Sequence, residues 1–328
     1  MRRGIQLATF ALLLVAVGTA SAGRVKKTPP IVIGVVLPSS TDRYFAAIQK
    51  GVSASAAANG FKVKLAVARR GGVKREIEAI SKLTTAPVDA LLVVPLADAA
   101  LNSSINSAVV AGIETATAAL DAPGSRRAFF YGPDSNAEGR AQAQRLLTTL
   151  HTAKRTGVVE YVITSCLPGA VQQRGRRLGF EAAMRANPYK KEFTVKRIGF
   201  YGTTTVPFQN RLLIRKVLAK LPGVDAVYAE CAPDTVNWGV ALREKKKQGV
   251  LVAGHEWYGA IFSLISQGWV SWSLGPSPYD MGYTAALRLF QFESAGTALP
   301  KGAVASKSVF ATKATLAQIK AGPDYSLG

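Results

Sequence analysis

The sequence predicts a doubly wound α/β fold, built twice along the chain. Three observations carry this prediction. Short apolar runs alternate with longer periodic ones almost without interruption. The short runs hold Val, Ile and Leu on both faces, as parallel strands covered on both sides by helices do. The alternation also passes through two rounds, from Ile31 to about Leu120 and from Gly157 to about Gly254, so two similar domains of about five strands each are expected.

Taken in order, the strands are expected at Ile31–Leu37, Phe61–Ala66, Ala90–Pro95 and Glu114–Leu120 in the first round. The second round supplies Gly157–Ile163, Thr194–Gly199, Ala226–Ala229 and Val250–Gly254. Helices lie between them. In "KREIEAISKLTT" the residues Ile77, Ile80 and Leu83 mark one face, and in "AEGRAQAQRLLTTL" Ala143, Leu146, Leu147 and Leu150 do the same. "RRLGFEAAMRANP" places Phe180 and Met184 four apart and stops at Pro188. The link between the rounds, near Tyr131–Asn136, is short. The tail "GWVSWSLGPSPYDMGYTAALRLFQF" adds a strand and a helix, and "KSVFATKATL" a last strand. These additions imply that the chain crosses between the domains more than once.

The N-terminus stands outside this pattern. "MRRGIQLATFALLLVAVGTASA" has a basic start, an apolar run from Ile5 to Val17 and the small-residue ending Ala20-Ser21-Ala22, which reads as a secretory signal peptide cleaved before Gly23. The run is short for a membrane span of about 20 residues. No Cys follows it, so no lipid anchor is expected, and Sec export to the periplasm or the medium is the reading.

The chain of 328 residues carries 41 Lys and Arg against 20 Asp and Glu, a formal net charge of +21. Its basic residues are scattered, with one dense run at 245–247 that ends a predicted helix, where cations favour the dipole. No basic stripe with interleaved aromatics is present, so a solvated basic surface is expected rather than a nucleic-acid site. Reactive chemistry is sparse. His151 and His255 are the only histidines, two cysteines make no zinc pattern, and phosphate-binding glycine loops and hydrolase motifs are absent. No catalytic residue, metal or cofactor is expected.

One stretch raises a question of its own. "VVLPSSTDRYFAAIQKGV" leads from a strand into a helix and sets Tyr44 and Phe45 at the joint, where a turn ordinarily places Gly, Asn or Ser. In open α/β sheets ligands bind beyond the carboxyl ends of the strands. Tyr44 is therefore expected in a ligand cleft, with its hydroxyl on a polar partner. Phe45 belongs either to that cleft or to the core.

Several spaced motifs together resemble the periplasmic solute-binding proteins of the ribose/galactose type. "IGVVLPSSTDRYFAAIQKGV" resembles their first strand and aromatic-led helix, and "VDALLVVPLADAAL" their third-strand motif with Pro95 and Asp98. "YGPDSNAEGRAQAQRL" is similar to their hinge and helix start at Asp134 and Gly139. "RGRRLGF" carries Arg176, Gly179 and Phe180, and "VLVAGHE" ends with Glu256 at the acidic position. The resemblance spans Ile31 to about Phe292. It implies two Rossmann-like lobes with doubly wound parallel sheets, joined by a three-segment hinge. The first lobe would comprise 23–135 plus 276–307 and the second 136–275 plus 308–328, after the signal peptide 1–22.

The resemblance also implies ligand positions. Asp42 occupies one of them, with capping of the following helix as its other reading. Asp121 matches a sugar-binding Asp, although Ala122 stands where an Arg is usual. Arg176 would be a bidentate donor and Glu256 an acceptor. Trp257 would either stack on the ligand or cap the hinge. Where an Asn-Asp pair is usual the chain has Cys231 and Ala232, with Asp234 and Asn237 as displaced substitutes. Cys166 and Cys231 each follow a strand of the second lobe that neighbours the other, so they form either a disulfide or two buried thiols. The implied function is capture of a small polar ligand, a sugar or polyol, by a monomer that delivers it to an ABC permease. The alternatives are a periplasmic receptor read by a membrane kinase or chemoreceptor and, more remotely, a glycoside-processing enzyme.

Overall fold

The computed structural model describes residues 30–39, 43–68, 72–96 and 98–324, so the proposed signal peptide lies outside the described residues. In the first round β1 (Val32–Leu37), α1 (Arg43–Asn59), β2 (Lys62–Val67), α2 (Val73–Thr84), β3 (Ala90–Val93), α3 (Asp98–Val110), β4 (Glu114–Ala118) and β5 (Phe129–Gly132) follow one another. The second round contains α4 (Ser135–Thr152), β6 (Gly157–Ser165), α5 (Val171–Arg185), β7 (Phe193–Gly202), α6 (Pro207–Lys220), β8 (Ala226–Ala229), α7 (Ala232–Glu244), β9 (Leu251–His255), α8 (Gly259–Ser266) and β10 (Trp272–Pro276). The tail adds α9 (Pro278–Ala295), β11 (Gly302–Ala305), β12 (Ser308–Ala311) and α10 (Leu316–Ala321).

These strands form two six-stranded sheets, in the orders β11-β5-β4-β3-β1-β2 and β12-β10-β9-β8-β6-β7. Pairing is parallel except for β10 with β12, which is antiparallel. The central strands of each sheet are buried on both faces because they are apolar at odd and even positions alike. In β1, Ile33, Val35 and Leu37 enter the core shared with α1 and α9, while Val36 enters the core under α2 and α3. The second sheet likewise separates a core with α4 and α5 from one with α6, α7 and α8.

The chain passes between the lobes three times, at β5 to α4, β10 to α9 and β11 to β12. The crossings are bonded to each other. Ser306 N–H donates to the Gly132 carbonyl at 2.7 Å, and Ser277 N–H to the Lys307 carbonyl at 3.2 Å. Beside them each lobe has one helix pair packed backbone to backbone through glycines. A Cβ on Gly139 of α4 would overlap the Arg176 carbonyl, and one on Gly179 of α5 the Asn136 carbonyl. Gly51 and Gly282 do the same between α1 and α9.

Three sequence expectations are corrected. β5 and β11 are additional strands that both join the first sheet, and the tail strands β10 and β12 join the second, so each sheet has six strands rather than about five. Both first-sheet additions are four-residue segments, β11 at the sheet edge and β5 beside it, and "GAVA" is too small and "FFYG" too short to show alternation. The α2 face is also rotated. Ile77 is exposed at 37%, and Glu76 is buried beside Ile80 and Leu83, where its carboxylate accepts the Leu96 N–H at 3.1 Å. The second-round strand expected to end at Gly199 runs on to Gly202, past an extra residue at Ile198 that shifts its register against Tyr161 and Val162 of β6.

Candidate functional site

At the carboxyl ends of both sheets a cavity of about 860 Å³ lies between the lobes. The first lobe contributes Tyr44 and Phe45 from the first turn of α1, Leu96 after β3, and Ala119 and Leu120 after β4. The second contributes Gln172, Gln173 and Arg176 from α5, Thr205 before α6, and Glu256, Trp257 and Tyr258 after β9. Pro133, Pro276 and Pro278 from the crossings close the hinge side. The described first-lobe wall is thus apolar and aromatic, and the polar groups come from the second lobe.

The two rings at the first strand–helix joint meet edge to face, with centroids 5.6 Å apart. Both line the cavity and both pack against the first-lobe core, so Phe45 serves cleft and core together. The Tyr44 hydroxyl donates to Met281 Sδ at 3.6 Å, a weak acceptor. Burial, then the Glu256 and Glu138 carboxylates, hold its ionisation far above the ordinary phenol range despite Arg176. It stays a neutral ring.

Arg176 is fixed by the helix pair that the glycines bring together. Its Nε donates to Glu138 Oε2 at 3.0 Å and its Nη1 to the Glu230 carbonyl at 3.0 Å. Burial alone would favour losing its proton, but Glu138 and Glu256 outweigh that and raise its pKa. A permanent cation therefore sits in the cavity wall. One helical turn earlier, Gln173 is 6% exposed and its Oε1 has no hydrogen-bond partner. A buried amide oxygen on a cavity wall is costly unless a ligand or water satisfies it.

Glu256 follows β9 with a left-handed backbone, φ 71°, a conformation that a β-carbon disfavours and that clusters at functional sites. It is held there because its N–H donates to the Leu274 carbonyl at 2.8 Å and its carbonyl accepts from Ser273 Oγ at 2.6 Å. Burial raises its pKa. Arg176 and the Ala232 N–H, at the start of α7, oppose that rise. Trp257 lies over Gly275, where a Cβ would strike the indole.

The other sequence candidates lie elsewhere. Asp42 is outside the described residues. Asp121 is not in the cavity lining; its carboxylate accepts from Arg127, from Thr117 Oγ1 at 2.8 Å and from the Ala122 N–H at 2.8 Å. The arginine that serves it thus stands at 127. Asp234 is fully buried below the wall, accepting from Thr203 and Asn210 at 2.5 Å each. Cys231 is joined to Cys166 by a disulfide, with Cα atoms 6.1 Å apart, which ties the loop bearing Leu167 to the start of α7. Neither histidine lines the cavity. His151 meets Glu192 at 2.6 Å, and His255 is buried with Nε2 2.9 Å from the Tyr228 hydroxyl.

Sequence reasoning missed Gln172, Gln173, Thr205 and Tyr258. The two glutamines carried a signal, since they lie four and three residues before Arg176 on the same helix face.

Comparison with known proteins agrees with the two-sheet α/β fold. A family profile described as periplasmic binding protein domain matches residues 33–292. No curated protein sequence matches the chain. Among solved structures, a sugar ABC transporter sugar-binding protein from Bacillus halodurans is 19% identical, with a TM-score of 0.78 over 88% of this chain and 99% of that one. A periplasmic ribose ABC transporter protein from Conexibacter woesei is 15% identical, with a TM-score of 0.78 over 90% and 96%. The arabinose-binding protein AraP from Geobacillus stearothermophilus is 20% identical, with a TM-score of 0.75 over 88% and 99%. At these identities the likeness is one of fold.

Proposed function

Because the chain belongs to the periplasmic binding protein domain family, whose matched span takes in both lobes, we propose that it is an extracytoplasmic solute-binding protein. It captures a small polar ligand, a sugar or polyol, between its lobes and delivers it to an ABC importer. The observation that carries this reading is the opposition of two unlike walls across one cavity. Tyr44 and Phe45 offer flat apolar area from the first lobe, and Gln173, Arg176 and Glu256 offer donors and acceptors from the second. A pyranose or cyclic polyol has the matching pair of surfaces, a C–H face and a rim of hydroxyls.

Binding and closure are one event in this mechanism. The lobes, taken as 23–135 plus 276–307 and 136–275 plus 308–328, turn about the three crossings. The ligand favours the closed state because only there does it touch both walls. Each hydroxyl desolvated on closing must find a partner, which selects among solutes. The family is one of binding proteins, and the charged groups support holding rather than turnover. Glu138 is engaged by Arg176 and Ser308, and Glu256 by the Ala232 amide. The segment 1–22 acts as the export signal, and the mature chain works as a monomer.

A thermal-shift screen of sugars, polyols and sugar acids tests the reading, since a ligand bound only by the folded state raises its melting temperature. Calorimetry on the hits should give one site per chain. A panel in which no compound raises the melting temperature would overturn the proposal.

A further inference from the structure

Helix α6 is apolar on two sides. Its inner residues Ile214, Val217 and Leu218 are buried in the second-lobe core. On the outer side Phe208 is 70% exposed and Leu212 41%, with Leu213 and the preceding Val206 also exposed. A helix packed on a sheet needs only one apolar stripe. Phe208 and Leu212, four residues apart, form a second stripe that faces solvent.

The same outward side carries Arg215, Lys216 and Lys220 over the next turns. The lysine run 245–247 stands beside their end of the helix, because Lys247 Nζ donates to the Pro222 carbonyl. Arg211 and Arg215 share one carboxylate, Glu244, at the end of α7. The layer is therefore strongly cationic after that pairing. An exposed ring and aliphatic groups flanked by cations match one kind of surface, an interface with hydrocarbon beneath anionic headgroups.

We propose that the outer face of α6, with the lysine run beside it, docks on an anionic lipid bilayer. Phe208 and Leu212 enter the headgroup boundary, and the cations lie over the phosphates. A soluble polyanion would satisfy the charges and leave the apolar stripe in water. Docking here sets the cavity mouth beside the membrane, since Thr205 of the cavity wall lies three residues before Phe208. The inference is independent of which ligand the cavity takes.

Vesicle flotation of the full chain tests it, with phosphatidylcholine alone and with phosphatidylcholine mixed with phosphatidylglycerol. Every variant keeps the same apolar N-terminal stretch, so its contribution is common to all samples. Lys216→Glu/Lys220→Glu should lower partition into anionic vesicles by about tenfold or more. Lys245→Glu/Lys246→Glu, which leaves α6 untouched, should act in the same direction. Phe208→Ser/Leu212→Ser should lower it at unchanged charge, and all three should melt as the parent does. Equal partition of parent and variants, bound or unbound, overturns the proposal. A loss confined to the charge variants also overturns it, in favour of a soluble polyanion.

Discussion

Arg176 and Glu138 form a buried ion pair across α4 and α5, with Nε 3.0 Å from Oε2. The other Glu138 oxygen accepts the Ser308 hydroxyl at 2.7 Å, and Ser308 begins β12, just past the third crossing. One carboxylate thus links the helix after the first crossing, the cavity wall and the strand after the last crossing. Such a pair is a poor source of stability while intact, but breaking it leaves a charge without a partner in a low-dielectric site.

Glu138→Ala should therefore destabilise the protein by about 3–5 kcal/mol. The double variant Glu138→Leu/Arg176→Met, which removes both charges, should cost less than that single change. Urea midpoints of the parent, Glu138→Leu, Arg176→Met and the double variant measure the coupling. Strictly additive losses would show that the pair does not act as a unit.

The glycines that bring α4 and α5 together make a second prediction. Gly139→Ala and Gly179→Ala each push a methyl into a backbone carbonyl of the neighbouring helix, an overpacking cost of about 1–3 kcal/mol or more. Gly169→Ala, where nothing lies within 4 Å, is the control. Because Arg176 rides on the same interface, the two packed variants should also lose ligand affinity. Melting temperatures equal to that of the control would remove the close-packing argument.

These positions show what was legible in the sequence. Gly139, Arg176 and Gly179 could be marked from spaced motifs because each has a residue type that few others can replace. The strand alternation was equally open, since both faces of β1 and β3 are apolar. The fate of the acidic groups was not. Asp121, Asp234 and Glu230 each follow or flank a strand end, and nothing local says whether a carboxylate faces the cavity or a buried partner. That was decided by Arg127, six residues after Asp121, and by Thr203 and Asn210, which reach Asp234 from another βα unit. Partners that distant leave no periodic trace.

Reduction of the Cys166–Cys231 disulfide should destabilise the second lobe. The bond closes a segment with a sequence separation of 65, worth about 4 kcal/mol in the chain-entropy account. The denatured, unreduced protein should show no reactive thiol, and reductant should expose two and lower the melting temperature. Leu167, next to Cys166, lines the cavity, so ligand affinity should fall with reduction as well. Two free thiols before reduction would contradict the prediction.

Stability should fall as pH rises from about 4.5 to 7 through Glu230. This side chain is fully buried, and burial raises its pKa to about 7 despite nearby Ser165, Arg177 and Arg176. The folded state holds the proton to higher pH than the unfolded chain, so the stabilising difference is present below the unfolded pKa and lost as pH approaches the folded one. Glu230→Gln should flatten this dependence over that window and leave the parent less stable than the variant near pH 8. A parent and a variant with parallel pH profiles of melting temperature would assign the titration elsewhere.

The last prediction concerns the two walls of the cavity. With the ligand found by screening, Tyr44→Ala removes apolar area from the first lobe, and Gln173→Leu removes the unpartnered acceptor from the second. The glutamine change should weaken binding by about 1–3 kcal/mol, because a ligand hydroxyl is then desolvated without a partner on closing. Its free form should be no less stable than the parent, since the amide oxygen it loses has no partner in the protein. The tyrosine change should weaken binding through lost contact area and also reduce ligand-induced compaction, because closure is driven only by contacts that reach both lobes. Calorimetry gives the first quantity and small-angle scattering the second. Parent-like affinity and compaction in both variants would place the ligand outside this cavity.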